Sequence, residues 1–341
     1  MSARIVITGG AGFLGCLLAR RLLAAPISLG GGSAERVREL VLLDLVAPPP
    51  DLARADSVRP IVGELGSTIT ELGDVDAVFH LAGAVSGAAE ADFDLGMRTN
   101  VDGTRAVLEY TRRHRVPPVL VFSSSLAVFG SDPALGPIGP VDDDTLPRPQ
   151  TSYGIQKFIG EQLIADYTRR GFVRGRSVRL VTVSVRSGTP NAAVSGFLSG
   201  IIREPLAGQR AGCPVPPDTP VALSSPRRSL AGIVFAAEAD DNTWGSRTAM
   251  NLPALTTTPN LMAAALDRVA GAGTSKLIDW VDDPAISAIV RSWPAEVRAA
   301  RAHRLGLTPD PSFDDIVRAY LADNPTARGG PATPSLSDNR G

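Results

Sequence analysis

The sequence is poor in several features, and each scarcity excludes a class of protein. Cys16 and Cys213 are the two cysteines among 341 residues, which is too few for a disulfide framework and suits a reducing compartment. No run of about 18 apolar residues is present that could form a membrane-spanning helix. The first predicted strand begins at Arg4 with no apolar leader and cleavage site before it. We therefore expect a cytoplasmic protein without a membrane partner.

An excess of charge of one sign is also lacking. Lys+Arg 34 and Asp+Glu 35 give a formal net charge of -1, and the positive residues are scattered, so we expect no nucleic-acid partner. The three histidines, His80, His114 and His303, have no metal-ligand spacing, and no metal site is predicted. Lysine itself is rare, because Lys157 and Lys276 are the two in the chain. Codon usage accounts for this bias, but it makes a lysine inside a motif more informative.

Short apolar runs alternate with longer amphipathic stretches through the first half of the chain. Runs rich in Val, Ile and Leu predict buried parallel strands over Arg4–Thr8, Leu40–Leu45, Arg59–Val62, Ala77–Leu81, Val119–Ser123 and Arg179–Val185. Helical spacing predicts helices over Gly12–Ala24, Asp94–Arg113 and Ser152–Arg170. This alternation predicts a Rossmann-type α/β fold, a doubly wound parallel sheet that binds ligands at the carboxyl ends of its strands.

After Val185 the alternation stops, and the pattern predicts a smaller, mainly helical lobe. Helices are predicted over Ala193–Leu206, Ser229–Ala239, Pro259–Ala270, Pro284–Arg291, Ala295–Arg304 and Ser312–Ala322, and strands over Ala249–Leu252 and Lys276–Val281. We assign residues 1–185 to a nucleotide-binding domain, to which 221–253 returns, and residues 186–220 and 254–324 to a substrate-binding lobe. Residues 325–341 are rich in Pro, Gly, Ser and Thr, which predicts a disordered tail.

A glycine-rich turn joins the first predicted strand to the first predicted helix. Glycines there allow a tight turn and a close approach to a pyrophosphate, while the helix N-terminus offers N–H groups to the phosphates. A Walker-type loop is excluded because no Gly-Lys-Ser/Thr follows. A glycine-rich turn without a ligand is the alternative. The pattern predicts that a dinucleotide is bound by Gly9, Gly12, Phe13, Leu14 and Gly15.

Asp44 ends the second predicted strand. A carboxylate there accepts hydrogen bonds from both ribose hydroxyls and repels a 2′-phosphate, and no arginine follows closely, so NAD is favoured over NADP. The spacing from Gly15 exceeds the usual value of about 20 residues. An insertion over Pro26–Ser33, which contains three consecutive glycines, accounts for the excess. An aspartate that caps a turn is the alternative.

Two further segments are candidates for contacts with the cofactor. Glu64 follows the third predicted strand and could reach the adenine amino group, with a solvated turn residue as the alternative. Leu81, Ala82 and Gly83 follow the core of the fourth strand, where small residues let a dinucleotide lie across the sheet.

A serine run and a Tyr–Lys pair form the candidate catalytic set. Ser123–Ser125 follow the fifth strand, and Tyr153 and Lys157 lie one turn apart on a predicted helix. A lysine ammonium beside the tyrosine, with a positive nicotinamide ring nearby, lowers the pKa of the phenol from about 10. The tyrosinate can then take a hydroxyl proton as hydride leaves the same carbon, and Lys157 can also bond the nicotinamide ribose. Chance spacing is the alternative for the pair alone, but the joint order of the motifs favours catalysis.

These motifs resemble the extended short-chain dehydrogenase/reductases, the NAD-dependent epimerase/dehydratase family. The resemblance covers roughly the first half of the chain and is carried by Thr8–Gly15, His80–Gly83, Thr99–Thr104, Phe122–Gly130 and Tyr153–Lys157. It implies NAD as the cofactor. It also implies a homodimer formed through the helices predicted at 94–113 and 152–170.

The resemblance also implies a role for each catalytic candidate. Ser125 is the catalytic serine, and Ser124 is the less favoured of the two. Tyr153 is the base, Lys157 is its partner, and Asn100 orients a water in the proton relay.

The nature of the substrate is indicated by departures from one group and similarity to another. Nucleotide-sugar members carry Asn where this chain has Thr189, and a second-lobe motif of theirs is replaced here by residues 224–230, which weakens a nucleotide-sugar reading. Segments of both lobes instead resemble the D-erythronate dehydrogenase group, namely 85–87, 92–96, 190–193, 200–206, 214–218 and 292–294. That resemblance implies oxidation of a small four-carbon sugar acid at C2 to a 2-oxo acid.

A sugar acid needs a cation for its carboxylate and polar partners for its hydroxyls. Ser86, Asn191 and Arg227 are the candidates, with Arg186 or Arg203 as substitutes for the arginine. A guanidinium matches a carboxylate bidentately, although a solvated helix arginine is the alternative in each case.

Two other functions stay open beside the sugar-acid dehydrogenase. One is an NAD-dependent nucleotide-sugar epimerase or dehydratase that retains its NAD and returns the hydride. The other is a non-catalytic NAD-binding sensor, since members of a fold can lose their chemistry. Intact Ser125, Tyr153 and Lys157 argue against the sensor.

Overall fold

The computed structural model describes residues 2–188 and 193–327, which contain fourteen strands. They are β1 Ala3–Thr8, β2 Val37–Asp44, β3 Val58–Val62, β4 Ala77–His80, β5 Val119–Ser125, β6 Val141–Asp142, β7 Arg174–Leu180, β8 Thr182–Val183, β9 Ala211–Cys213, β10 Val221–Ser224, β11 Met250–Asn251, β12 Leu255–Thr257, β13 Ile278–Trp280 and β14 Val297–Arg298. Seven of them form the main sheet in the order β11-β7-β5-β4-β1-β2-β3, and every pair in it is parallel.

Fourteen α-helices lie in the same described segments. They are α1 Phe13–Ala24, α2 Pro50–Ala53, α3 Leu65–Thr68, α4 Ser86–Ala91, α5 Phe93–Gly96, α6 Gly103–Thr111, α7 Ser152–Arg169, α8 Phe197–Leu206, α9 Pro226–Glu238, α10 Asp241–Trp244, α11 Pro259–Ala270, α12 Pro284–Ser292, α13 Ala300–Arg304 and α14 Phe313–Asp323. Short 3-10 helices and one π-helix, Met97–Asp102, complete the structure. No helix of these two segments has the length and apolar character that crossing a membrane requires.

Both faces of the main sheet are buried, as the near-continuous apolar strands predict. Successive residues of a strand point to opposite faces, so Ile5 and Ile7 pack into one core and Val6 into another. Helices α1 and α9 cover the first face through Leu18 and Ile233, while α6 and α7 cover the second. The predicted Rossmann-type, doubly wound sheet is confirmed.

The second lobe has its own apolar core, which includes Val185, Ile201, Leu266 and Val317. Its strands form a three-stranded sheet, β12-β10-β8, and a two-stranded sheet, β13-β9. Between these elements the chain returns to the main sheet, because α9 packs on its core and β11 pairs with β7. Strand β10, which also belongs to the segment 221–253, pairs instead within the second lobe.

Some predicted elements have other bounds. The strand predicted at Arg179–Val185 is two strands, β7 and β8, and β7 begins at Arg174. Its first half escaped prediction because it is polar, with Arg176 buried against Asp241. A helix predicted at Ala295–Arg304 is strand β14, paired with β6, followed by the short α13. Strands of two residues and a helix of five are too short for a hydrophobic period to show in the sequence.

Candidate functional site

A cavity of about 640 Å³ opens at the carboxyl ends of β1, β2 and β4. This is the edge of a parallel sheet at which such folds bind their ligands. The structure brings together at this cavity all the cofactor candidates that precede α7 in the chain. They are Gly9, Gly12, Phe13, Leu14, Gly15, Asp44, Glu64, Leu81, Ala82 and Gly83. Sequence reasoning missed Arg98, Thr99 and Asp102, which also line it. Thr99 and Asp102 belong to the segment Thr99–Thr104 that the resemblance had marked, and Arg98 directly precedes it.

The glycine turn has no room for side chains. Gly9 has φ 71, a left-handed conformation that favours glycine, and a Cβ there would lie 2.7 Å from the backbone nitrogen of Ala82. A Cβ on Gly15 would collide with the carbonyl oxygen of Gly9. The bare backbone therefore packs strand, turn and helix tightly together. This leaves the start of α1 open to a pyrophosphate, which fits a dinucleotide.

Asp44 fixes the glycine turn to the end of β2. Its Oδ2 accepts a hydrogen bond from the backbone N–H of Ala11 at 3.0 Å, and its Oδ1 accepts one from Leu45 at 2.7 Å. A carboxylate oxygen can accept more than one hydrogen bond, so both remain able to accept from a ribose. The insertion that lengthens the spacing is present, since Leu29–Gly31 form a 3-10 helix between α1 and β2.

A second, smaller cavity of about 220 Å³ adjoins the first. The two share part of their lining, including Phe13, Leu14, Gly83 and Ser123. Its walls come from both lobes and contain the predicted Ser86, Ser125, Tyr153 and Lys157. Sequence reasoning assigned no role at this cavity to four further lining residues, Thr182, Val183, Ser195 and Trp293. Trp293 belongs to a segment that the resemblance had marked.

The structure separates the two candidate serines. Both serines line the small cavity, but Ser124 is buried and its hydroxyl already donates to Glu161 at 2.5 Å, and Glu161 forms a buried ion pair with Arg179. Ser125 lines the small cavity, and its Oγ accepts a hydrogen bond from the N–H of Ala127 at 3.1 Å. The Ser125 hydroxyl also interacts with Tyr153, so the geometry favours Ser125, beside the candidate base, for contact with a substrate oxygen.

Tyr153 and Lys157 face the same cavity from the first turns of α7. Helix α7 begins there because Thr151 caps it, accepting a hydrogen bond from the N–H of Gly154 at 3.1 Å. The Lys157 Nζ lies 5.8 Å from the centre of the Tyr153 ring. Burial raises the pKa of Tyr153, and the Ser125 hydroxyl partly opposes the shift. Desolvation therefore outweighs the other groups of the chain at Tyr153. The lowered pKa that the sequence predicts stays a prediction for the protein with NAD bound.

Lys157 is itself strongly desolvated. Burial lowers its pKa to about 8, although the charge of Glu161 acts in the opposite direction. A Cβ on Gly83 would lie 3.2 Å from the Lys157 Nζ and 3.0 Å from the Asn100 Oδ1. Lys157 and Asn100 therefore both pack against Gly83, which follows β4 and lines both cavities.

The candidate substrate arginines have different surroundings. Arg227 was predicted to bind the carboxylate, but its guanidinium pairs with Asp323 at 2.5 Å, and the side chain is 59% exposed outside the small cavity. Arg203 pairs with Glu204 and donates to the backbone oxygen of Arg186 at 2.9 Å. Arg186 lines the cavity, and within the described residues no hydrogen bond or ion pair engages its guanidinium. Burial and the charge of Arg203 lower the pKa of Arg186.

Ser86 and Asn191 are the other two substrate candidates. Ser86 lines the cavity, and its Oγ accepts a hydrogen bond from the N–H of Val194 at 3.3 Å. Asn191 lies outside the described residues.

Comparison with known proteins gives the family. Residues 5–226 match the NAD dependent epimerase/dehydratase family. The chain is 49% identical to a D-erythronate dehydrogenase from Cupriavidus necator, over 94% of this chain and 98% of that protein. It is 38% identical to a D-erythronate dehydrogenase from Haemophilus influenzae, over 93% of this chain and 98% of that protein. The crystal structure of a nucleoside-diphosphate-sugar epimerase from Agrobacterium tumefaciens superposes with a TM-score of 0.86 at 35% identity, covering 96% of each chain.

The similarity runs through both lobes of the chain. It confirms the predicted resemblance and the predicted enzyme class, an NAD-dependent oxidoreductase similar to D-erythronate dehydrogenase. The chain belongs to the NAD-dependent epimerase/dehydratase family.

Proposed function

We propose that this protein oxidises the C2 hydroxyl of a small sugar acid such as D-erythronate to a 2-oxo acid, with NAD as the hydride acceptor. One observation carries the proposal: a small cavity next to the nucleotide cavity has Ser125, Tyr153 and Lys157 in its lining, together with Arg186, whose guanidinium has no partner among the described residues. The set offers a cation for a carboxylate and a proton acceptor for a hydroxyl in one cavity.

Arg186 is proposed to bind the substrate carboxylate. A half-buried guanidinium without an anion is costly, and a carboxylate would supply both the charge and a bidentate pair of hydrogen bonds. The carbonyl oxygen of Arg186 is held by Arg203, which fixes the backbone that carries the side chain. Arg186 therefore takes the role that the sequence had given to Arg227.

The chemical step is proposed to use three residues at the start of α7 and the end of β5. Ser125 donates its hydroxyl hydrogen to the substrate C2 oxygen and so holds it towards Tyr153. Tyr153, as phenolate, removes the proton from that oxygen. Lys157 supplies a nearby positive charge that favours the phenolate and bonds the ribose. Bound NAD would supply the hydride acceptor for C2 and the positive charge of the nicotinamide ring.

The selection of NAD over NADP is assigned to Asp44. Its carboxylate is fixed by two backbone N–H groups at the mouth of the nucleotide cavity, where it can accept from ribose hydroxyls. A 2′-phosphate would meet this negative charge and be repelled.

A small acid fits the second cavity better than a sugar nucleotide does. The cavity measures about 220 Å³, against about 640 Å³ for the nucleotide cavity beside it. The alternative, an epimerase or dehydratase, has support in the 35% identity to the Agrobacterium tumefaciens epimerase. The greater identity to the two D-erythronate dehydrogenases favours the acid.

The test is to incubate the purified protein with NAD and D-erythronate and to follow NADH absorbance. Other four-carbon sugar acids form a panel, and nucleotide sugars serve as controls. NADH formed from one of the acids supports the proposal, while no signal from any acid overturns it. Tightly retained NAD, with no net NADH from a nucleotide sugar that is nevertheless converted, would establish the epimerase instead.

Two assignments accompany this proposal. We propose that the protein works in the cytoplasm, and as a homodimer formed through the helical segments at 94–113 and 152–170. Mass measurement in solution tests the dimer.

A further inference from the structure

Gln156 is a buried amide between the two catalytic candidates of α7, and no role has yet been given to it. It lies next to Lys157, three residues after Tyr153, and is 1% exposed. Its Oε1 accepts a hydrogen bond from the Nδ2 of Asn100 at 2.7 Å. Its Nε2 is buried without a hydrogen-bond partner among the described residues. A buried donor without a partner lowers the stability of the fold, so packing alone does not account for a glutamine at this position.

Asn100 connects Gln156 to the loop after β4, which lines both cavities. Its Nδ2 donates also to the carbonyl oxygen of Ala84 at 3.2 Å, and its Oδ1 accepts from the N–H of Ala84 at 2.8 Å. The side chain therefore binds both polar groups of one residue in the loop after β4. Ala84 lines the small cavity, and its neighbour Gly83 lines both cavities.

The direction of the Asn100 amide matters because its two ends are not equivalent. Only the oxygen can accept from the Ala84 N–H, and only the nitrogen can donate to the Ala84 carbonyl. The Oε1 of Gln156 lies against the nitrogen and so selects this orientation. Asn100 belongs to the π-helix Met97–Asp102, an irregular turn type that is frequent at functional sites.

Gly96 packs closely against the side-chain amide of Gln156. A Cβ on Gly96 would lie 2.5 Å from the Nε2 and 2.8 Å from the Oε1 of Gln156. The backbone of Gly96 thus presses on the amide and limits the rotation that would turn its oxygen away from Asn100.

We propose that Gln156 is a positioning residue, which acts through Asn100 to hold the Gly83–Ala84 backbone against the Lys157 ammonium and the nicotinamide end of the cofactor site. The proposal deepens the proposed dehydrogenase function and rests on it for its effect on turnover. Its structural part, the control of the Ala84 peptide by Gln156, does not depend on the substrate.

The first experiment measures hydrogen–deuterium exchange in a peptide that covers residues 81–88. Gln156→Met keeps the length of the side chain and removes the acceptor, so exchange at Ala84 is expected to rise about five-fold. Gln156→Glu keeps an oxygen within reach of Asn100 and serves as the conservative second variant, with near wild-type exchange expected. Ile155→Ala changes an exposed neighbour on the same helix and is the matched control. Unchanged exchange in Gln156→Met overturns the proposal.

The second experiment is a double-mutant cycle on NADH formation from the acid that the wild type oxidises. Gln156→Met is expected to lower kcat about five- to ten-fold with less than a two-fold change in KM for the acid. In an Asn100→Ala background the same substitution is expected to change kcat less than two-fold, because its effect passes through Asn100. Equal losses in both backgrounds indicate a merely structural role and overturn the proposal. If no acid is oxidised at all, the proposed function fails, and the exchange measurement alone decides the role of Gln156.

Discussion

The Lys157 ammonium lies 4.9 Å from the centre of the Phe122 ring, in a buried position against β5. This cation–π contact offsets only part of the cost of burial, since the pKa of Lys157 is still lowered to about 8. Phe122 in turn packs under α7, where a Cβ on Gly160 would lie 2.7 Å from its ring. The lysine is therefore held in place by packing rather than by an anion.

Replacing Lys157 by methionine tests this burial through the pH dependence of stability. Between pH 8 and 10.5 the unfolded lysine is protonated and the folded one is not, so the unfolded state binds more protons and wild-type stability rises with pH. Relative to Lys157→Met, the free energy of unfolding of the wild type is expected to increase by ~3 kcal/mol across this window. Denaturant titrations at several pH values measure it.

Lys276 provides the matched control for that experiment, because it is the other lysine of the chain and is exposed. Lys276→Met is expected to follow the wild type at every pH. A constant difference between the wild type and Lys157→Met from pH 8 to 10.5 would contradict the lowered pKa.

Substituting Tyr153 by phenylalanine removes the proposed base and leaves the ring. Turnover is expected to fall at least about 100-fold, which is the lower end of the rate contribution that a general base makes. NAD affinity is expected to change by less than about three-fold, because the loss is one hydrogen bond at most. Tyr167→Phe on the same helix is the control, since Tyr167 contacts Glu109 away from both cavities. Equal activity of Tyr153→Phe and the wild type would eliminate the proposed base.

Arg186→Met is expected to raise KM for the sugar acid about 10- to 100-fold, because a charge-assisted pair of hydrogen bonds to the carboxylate is lost. Arg227→Met is expected to leave KM unchanged, since that guanidinium pairs with Asp323 at the surface. Steady-state kinetics with the acid varied at saturating NAD distinguish the two. A larger rise in KM for Arg227→Met than for Arg186→Met would assign carboxylate binding to Arg227 instead.

Asp44→Asn is expected to weaken NAD binding about ten-fold, because the charged acceptor for the ribose hydroxyls is lost. The preference for NAD over NADP is expected to narrow as well, since the repulsion of the 2′-phosphate disappears. Titration with both dinucleotides measures the change. Asp51→Asn serves as control, because Asp51 pairs with Arg20 outside the nucleotide cavity. An unchanged ratio of the two affinities would argue that another residue selects the cofactor.

The cofactor cavity was predictable because its residues follow directly from local chain geometry. A turn after a strand needs glycine wherever backbone touches backbone, as at Gly9 and Gly15. Parallel neighbours place their carboxyl ends at one edge, so Asp44 and Gly83 had to lie near that turn. The Tyr153–Lys157 spacing on a helix is equally local.

The sequence by itself thus determined the fold class, and it predicted the candidate nucleotide edge of the sheet and the candidate catalytic set, because each depends on short-range periodicity and strand order. Only the tertiary structure decided which arginine has no partner within the described part of the chain, since Arg227 pairs with Asp323, which is 96 positions away. It likewise decided that Ser124 binds Glu161 and that Gln156 faces Asn100. Contacts between distant segments depend on how helices pack across the sheet, and no period along one chain encodes them.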